Sequence, residues 1–225
     1  MKILFQGDSI TDAFRKPEEL NPAFQLGNGY AFLIAAHLGA HHPERGWEFV
    51  NRGISGHGVR DLAARWPEDA LNVEPDLLSL LIGVNDTIQV MQNLSTLDDA
   101  GFLGSYASLV DALIERKPIT HILLLEPFLL EAGDVTPVWK EHLLPRQKGI
   151  ACFARERKLP FVPLQRIFDD ACRNAPAAYW TYDGVHATHA GYQLIAEAWL
   201  QYAEPLLRIR ERRVQEDSRF LASLV

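Results

Sequence analysis

Residues 1–12 read MKILFQGDSITD. An apolar run, Ile3–Phe5, passes straight into Gly7-Asp8-Ser9 and then Ile10-Thr11-Asp12. A strand whose apolar residues are continuous rather than alternating is covered on both faces. The small, acidic, turn-prone segment behind it places polar groups at the strand's carboxyl end, where open parallel sheets bind ligands. The stretch has two readings. One is a plain strand-to-helix turn with a capping residue. The other is a nucleophile held at the mouth of a sheet, a role for which Asp8 and Ser9 compete.

Working outward, four more runs of strand length follow: Trp47–Asn51, Asp76–Ile82, His121–Glu126 and Phe161–Leu164. Helical periods lie between and after them. Tyr30, Leu33, Ile34, His37 and Leu38 share one face, as do Val59, Leu62, Ala63 and Trp66. Tyr106, Leu109, Val110, Leu113 and Ile114 repeat the pattern, and so do Tyr192, Ile195, Ala196, Trp199 and Leu200, with Thr188 placed to cap that last helix. Parallel strands need crossovers, and right-handed crossovers put helices on both faces of one sheet. The expected fold is therefore α/β: a three-layer α/β/α sandwich on a five-stranded parallel sheet, with flavodoxin-like strand order. No repeat or linker divides the 225 residues, so residues 1–225 read as a single domain, with about 206–225 a C-terminal tail or helix.

The net charge of −7 argues against nucleic acid as a partner, because phosphate neutralisation dominates such binding. The one basic cluster, RIRERR at 208–213, is interrupted and followed by acidic residues, which suits a solvated helix end or an oligomer contact. Cys152 and Cys172 lack metal-ligand spacing and read as two reduced thiols. His41 and His42 stand far from matching ligands, so neither a metal nor another cofactor is expected. There is no membrane-length apolar run and no signal peptide, so the reading places the chain in the cytoplasm, away from membranes. The apolar end FLASLV (220–225) is compatible with a homo-oligomer.

Polar segments follow each strand: GDSIT, then NRGISGHG, IGVND, EPF and, further on, WTYDGVHAT. An aspartyl phosphatase needs a second acid two positions after its nucleophile, and Ile10 stands there instead. Ser9 has better support. A serine hydroxyl needs a base, the base needs an orienting carboxylate, and the tetrahedral intermediate needs donors. Asp183 and His186, three apart, offer the carboxylate and the imidazole. Gly53 can bring a bare backbone N–H close, Asn85 offers an amide, and the N–H of Ser9 completes a three-donor pocket. Each piece also has a structural explanation: Ser9 as helix cap, Gly53 as turn, Asn85 as loop cap, Asp183 and His186 as a solvated pair. The Gly-x-Ser-x-Gly elbow is absent.

With these residues in place, the sequence resembles the SGNH, or GDSL-like, hydrolases. GDSIT carries the serine, NRGISG the glycine, IGVND the asparagine, and DGVHAT the aspartate and histidine, in order and across nearly the whole chain. The resemblance implies metal-free ester hydrolysis, with Ser9 as nucleophile, His186 as base and acid, Asp183 as its orienter, and Ser9, Gly53 and Asn85 as oxyanion hole. FQGDSITD, LGNGY, NRGISGHGVRDLAARW and EPF further resemble bacterial intracellular acetylxylan esterases, which deacetylate xylo-oligosaccharides; Tyr182 departs from that branch, where tryptophan is expected. The implied substrate is a small acetylated carbohydrate. Asp8, His57, Phe128, Trp139, Trp180 and Tyr182 are the candidate substrate contacts. His37 is expected to pack, and Arg60, Asp61 and Arg65 to form a surface network. A lysophospholipase or acyl-thioesterase of the same superfamily is the alternative, and a non-catalytic binder of acylated sugars is the reading from a different class.

Overall fold

The five apolar runs form five parallel strands: β1 (Lys2–Gly7), β2 (Glu48–Asn51), β3 (Leu77–Leu81), β4 (His121–Leu125) and β5 (Phe161–Val162). Their order is β2-β1-β3-β4-β5, the flavodoxin-like order. The structure, a computed structural model, describes residues 1–207; the basic cluster and the FLASLV end lie outside the described residues. Among the described residues ten α-helices connect or follow the strands: α1 (Ser9–Asp12), α2 (Pro22–Gln25), α3 (Tyr30–His41), α4 (Val59–Trp66), α5 (Val84–Met91), α6 (Asp99–Arg116), α7 (Pro137–Arg157), α8 (Leu164–Ala171), α9 (Ala177–Trp180) and α10 (His189–Leu207).

The strand interiors are largely apolar because β1, β3 and β4 each serve two cores. Ile3 and Phe5 of β1, Leu77 and Leu81 of β3, and Leu123 and Leu125 of β4 face one cluster, packed on α3, α8 and α10 through Tyr30, Ile34, Phe168, Ile195 and Trp199. Leu4, Leu78, Leu80, Ile122 and Leu124 alternate to the other face and meet α4 and α6 through Leu62, Trp66, Tyr106, Leu109 and Leu113. Side chains that alternate at period two into two buried layers leave no polar position along the strand. One exception is Ser79, whose hydroxyl accepts a hydrogen bond from Trp199 Nε1 at 2.9 Å within the core.

The four helical periods of the sequence correspond to α3, α4, α6 and α10. Thr188 stands at the head of α10, its hydroxyl accepting from the N–H of Gly191 at 3.3 Å. His37 departs from expectation: it is exposed and stacks on His41 at 4.3 Å between ring centroids. The long helix α7 continues through Pro145. Its buried residues, Leu143, Arg146, Gln147, Ile150 and Ala154, share one helical face, but two of them are polar, so no apolar stripe advertises it.

The chain leaves β1 for the β2 side of the sheet and then crosses to β3 on the other. The carboxyl ends of β1 and β3 thus diverge into a crevice, the topological switch point of such sheets. The segments behind β1, β2 and β3 open there, and the loop at 181–187 closes over them.

Candidate active site

The GDSIT turn is built by Asp8. It is the N-cap of α1, with its Oδ1 accepting from the N–H of Ile10 at 3.0 Å. The helix lasts one turn because Ala13 and then Phe14 take left-handed backbone, with φ of 46° and 60°. A short cap-and-stop device of this kind leaves Ser9 at the first helical position, at the rim of the sheet.

The second segment is positioned by Asn51, which ends β2 and is buried. Its side-chain amide donates to the carbonyls of Thr11 (2.7 Å) and Leu26 (2.9 Å) and its Oδ1 accepts from the N–H of Gly53 (2.9 Å). The Gly53 carbonyl is gripped by Arg15 Nε at 2.6 Å. Ser55 Oγ donates to Asp12 Oδ2 at 2.7 Å. At the far end of this segment Gly58 precedes α4, with Asp86 accepting from the N–H of Val59 at 2.9 Å and burial pushing that carboxyl's pKa up. Asp86 therefore ties the second segment to the third, since its neighbour Asn85 sits in the first turn of α5. The Asn85 amide donates to the carbonyl of His57 at 3.0 Å, which leaves its second amide hydrogen unused.

The last segment is a tight loop closed by pairing of Thr181 with Ala187 and by the Tyr182 N–H on the His186 carbonyl at 3.1 Å. Asp183 Oδ1 accepts from the N–H groups of Val185 (2.9 Å) and His186 (2.7 Å), and its Oδ2 meets His186 Nδ1 at 2.6 Å. A carboxylate only accepts, so Nδ1 carries the proton and Nε2 is left to accept from Ser9 Oγ, 2.9 Å away. Burial alone would push the Asp183 carboxyl up, but the bonds from His186 and Val185 and the imidazole's charge outweigh it and hold its pKa below the ordinary carboxylate value. Gly184 (φ 89°) admits the loop behind β4: a side chain there would meet the carbonyls of Leu130 and Ala132 at about 2.5 Å.

A cavity of about 370 Å³ opens at this point, lined by Ser9, Phe14, Ser55, Gly56, Asn85, Tyr182, His186 and Tyr192. Of the residues singled out in the sequence, Ser9, Asn85, Asp183 and His186 converge here from 177 positions of chain separation between hydroxyl and imidazole. Tyr182 lies over the site, stacked on His186 with 11° between the ring planes.

Five of the expected site residues do not reach the cavity. Gly53 does not face the cavity: it is buried, its N–H is taken by Asn51, and a Cβ on it would lie 2.4 Å from the N of Asp12. The glycine of that segment that reaches the cavity is Gly56 (φ 83°), exposed, with open space where a side chain would stand. Asp8 is fully buried and cannot touch a substrate. Phe128 is fully buried too, stacked on Phe168 at 4.2 Å. Trp139 and Trp180 pack against the core beneath, the latter donating from Nε1 to Ala175 O at 3.2 Å, and neither lines the cavity. His57 stands just behind the site, its ring Nδ1 accepting from Arg65 Nε at 3.2 Å. Phe14, missed in the sequence, is 77% exposed at the cavity wall; a large aromatic directly after a helix-stopping turn was the available signal.

Among the described residues no helix is long and apolar enough to cross a membrane. Residues 5–194 match the GDSL-like Lipase/Acylhydrolase family. The chain is 35% identical over 203 residues to the acetylxylan esterase of Geobacillus stearothermophilus, covering 89% of this chain and 92% of that one. A crystal structure of an acetylxylan esterase from that organism aligns with a TM-score of 0.81 at 32% identity, over 95% of this chain and 97% of the other. Structures of three catalytic mutants of the esterase carry alanine in place of a serine, an aspartate and a histidine, the last two three positions apart. A protein of Parabacteroides merdae described as a GDSL-like lipase aligns with a TM-score of 0.86 at 36% identity, over 89% and 94% of the two chains. By sequence, by sheet order and by the placement of Ser9, Asn85, Asp183 and His186, the chain belongs to the GDSL-like lipase/acylhydrolase family of carboxylic ester hydrolases.

Proposed function

We propose that the chain is a serine esterase that removes O-acetyl groups from a carbohydrate, xylo-oligosaccharides being the favoured class, without a metal or other cofactor. Ser9 Oγ attacks the acetyl carbonyl carbon while His186 Nε2 takes its proton, and Asp183 holds the imidazole and stabilises its charged form. The oxyanion is met by the N–H groups of Ser9 and Gly56 and by the free amide hydrogen of Asn85. The sugar oxygen leaves with the proton from His186. Water, deprotonated by His186, then attacks the acetyl–Ser9 carbonyl and returns acetate and the free hydroxyl.

The observation that carries this reading is the cavity's lining. All eight residues are small, polar or aromatic, and none is an aliphatic side chain. At about 370 Å³ it sits near the small end of ligand pockets. An acetyl group and part of a sugar ring suit such a space, and Phe14 and Tyr182 offer apolar faces for the ring. A fatty acyl chain would need an apolar channel. The catalytic serine, aspartate and histidine of the Geobacillus esterase, with the same spacing of aspartate and histidine, support the assignment of the reacting residues.

Acetate release from acetylated xylo-oligosaccharides, other sugar acetates and longer acyl esters tests it. Preference for sugar acetates is expected, with loss of turnover in Ser9→Ala. Faster hydrolysis of an octanoate than an acetate ester would replace the acetyl reading with a lipase-like one. A Ser9→Ala enzyme within tenfold of wild type would reject the nucleophile.

A further inference from the structure

We propose that Arg65 is a positioning residue of the oxyanion hole, holding in register the separate segments that carry its donors. The inference rests on reading Ser9, Gly56 and Asn85 as those donors. The sequence suggested a surface network for Arg65, but its side chain is only 13% exposed and runs under the site. Its guanidinium makes four contacts at once. Nη2 donates to the carbonyl of Gly7 at 3.3 Å, Nη1 donates to the carbonyl of Arg52 and to Asp69 Oδ2, each at 2.8 Å, and Nε donates to His57 Nδ1 at 3.2 Å.

Three of the four partners lie in the segments that carry the donors. Gly7 closes β1 two residues before Ser9. Arg52 opens the loop that carries Gly56. His57 follows Gly56 directly, and its carbonyl receives the Asn85 amide at 3.0 Å. One planar, rigid fork thus fixes the distance between the end of β1, the end of β2 and the anchor of Asn85. Lysine could not do so, because its three donors sit on one nitrogen and cannot reach four acceptors spread around the three nitrogens of the guanidinium. Asp69 fixes the fork from behind, and its own carbonyl accepts from Gln6 Nε2 at 2.9 Å, tying it back to β1. The contact also sets His57: with Nδ1 accepting, the ring is neutral with its proton on Nε2, and both burial and the Arg65 charge push its pKa down, while Asp61 and Asp69 oppose that.

Oxyanion donors act by being in place before charge develops, so a shifted segment lowers the rate of the chemical step rather than substrate affinity. Arg65→Lys and Arg65→Gln are expected to lower kcat for an aryl acetate by about ten- to hundredfold, the scale of a misplaced or lost donor, with KM within threefold. Affinity for a small boronic acid, whose tetrahedral Ser9 adduct places an oxygen in the hole, is expected to fall in step with kcat/KM. Should the arginine variants not fold, His57→Leu removes one acceptor of the fork and His57→Gln keeps an oxygen acceptor there; the first is expected to slow turnover and the second to recover it. Folded variants with kcat/KM within twofold of wild type, or a fall in kcat with unchanged boronic acid affinity, would overturn the inference. Wild-type protein inert toward every acyl ester would remove the donor reading itself; active wild type with equally active variants would remove this inference alone.

Discussion

Asp8 carries a buried charge problem whose size can be worked out. It is fully buried, Oδ1 is satisfied by the N–H of Ile10, and Oδ2 has no partner. Burial, assisted by the nearby Asp86 carboxylate, pushes its pKa from 3.8 up to about 7. In the unfolded chain the same group ionises near its ordinary value. Between those two values the unfolded state sheds its proton and the folded state keeps it, so stability falls as pH rises across the window and levels off above about 7. At 1.36 kcal/mol per pKa unit, a shift of about three units amounts to about 4 kcal/mol. Asp8→Asn keeps the capping oxygen and has no charge to bury. Urea unfolding of both proteins at each pH from 4 to 8 is the assay. The stability of Asp8→Asn relative to wild type is expected to climb by up to about 4 kcal/mol across that range, with Asp86 and the other acids common to both proteins. A difference that stays flat with pH, or that turns against the asparagine variant as pH rises, would refute the reasoning.

Other outcomes can be stated more briefly. Asn85→Ala removes one oxyanion donor and is expected to lower kcat on an aryl acetate by about 10²- to 10³-fold with little change in KM. Asn51→Ala strips three hydrogen bonds from the buried carbonyls and N–H that it holds; a loss of about 3 kcal/mol, near 1 per bond, should appear in urea unfolding. Gly53→Ala drives a methyl group into the α1 backbone and should lower the Tm, whereas Gly56→Ala meets open space but strains a φ of 83° and should lower turnover together with about 1 kcal/mol of stability. Phe14→Ala should raise KM for an acetylated xylo-oligosaccharide and leave that of a small aryl acetate within twofold, with Phe14→Trp recovering the loss.

Much of the molecule is legible in the linear chain, and the reasons are local. Two-sided burial makes β1, β3 and β4 continuous apolar runs, and a stretch that must alternate between two cores has no other way to be written. The helices α3, α4, α6 and α10 show their apolar faces because each lies on a single layer of the sheet. The long helix α7 hides because its buried face is partly polar, with Arg146 and Gln147 inside. Asp183 and His186 are readable as a pair because their contact spans three residues and closes within one loop.

The sequence by itself determined the strands, the main helices and the four polar segments that meet at the sheet's rim, because strand burial, turn chemistry and short-range hydrogen bonds are properties of neighbouring residues. Only the tertiary structure decided which glycine lines the cavity, which aromatics stand at its wall and which arginine reaches beneath it. Gly53 and Gly56 are chemically identical; the direction of a peptide plane is fixed by Asn51 at the end of β2 and by Thr11 and Arg15 behind β1, far apart in the chain. The same holds for Phe128 and Phe14, one in the core and one in solvent, since side-chain type records a preference for burial and the packing of distant elements allots the place.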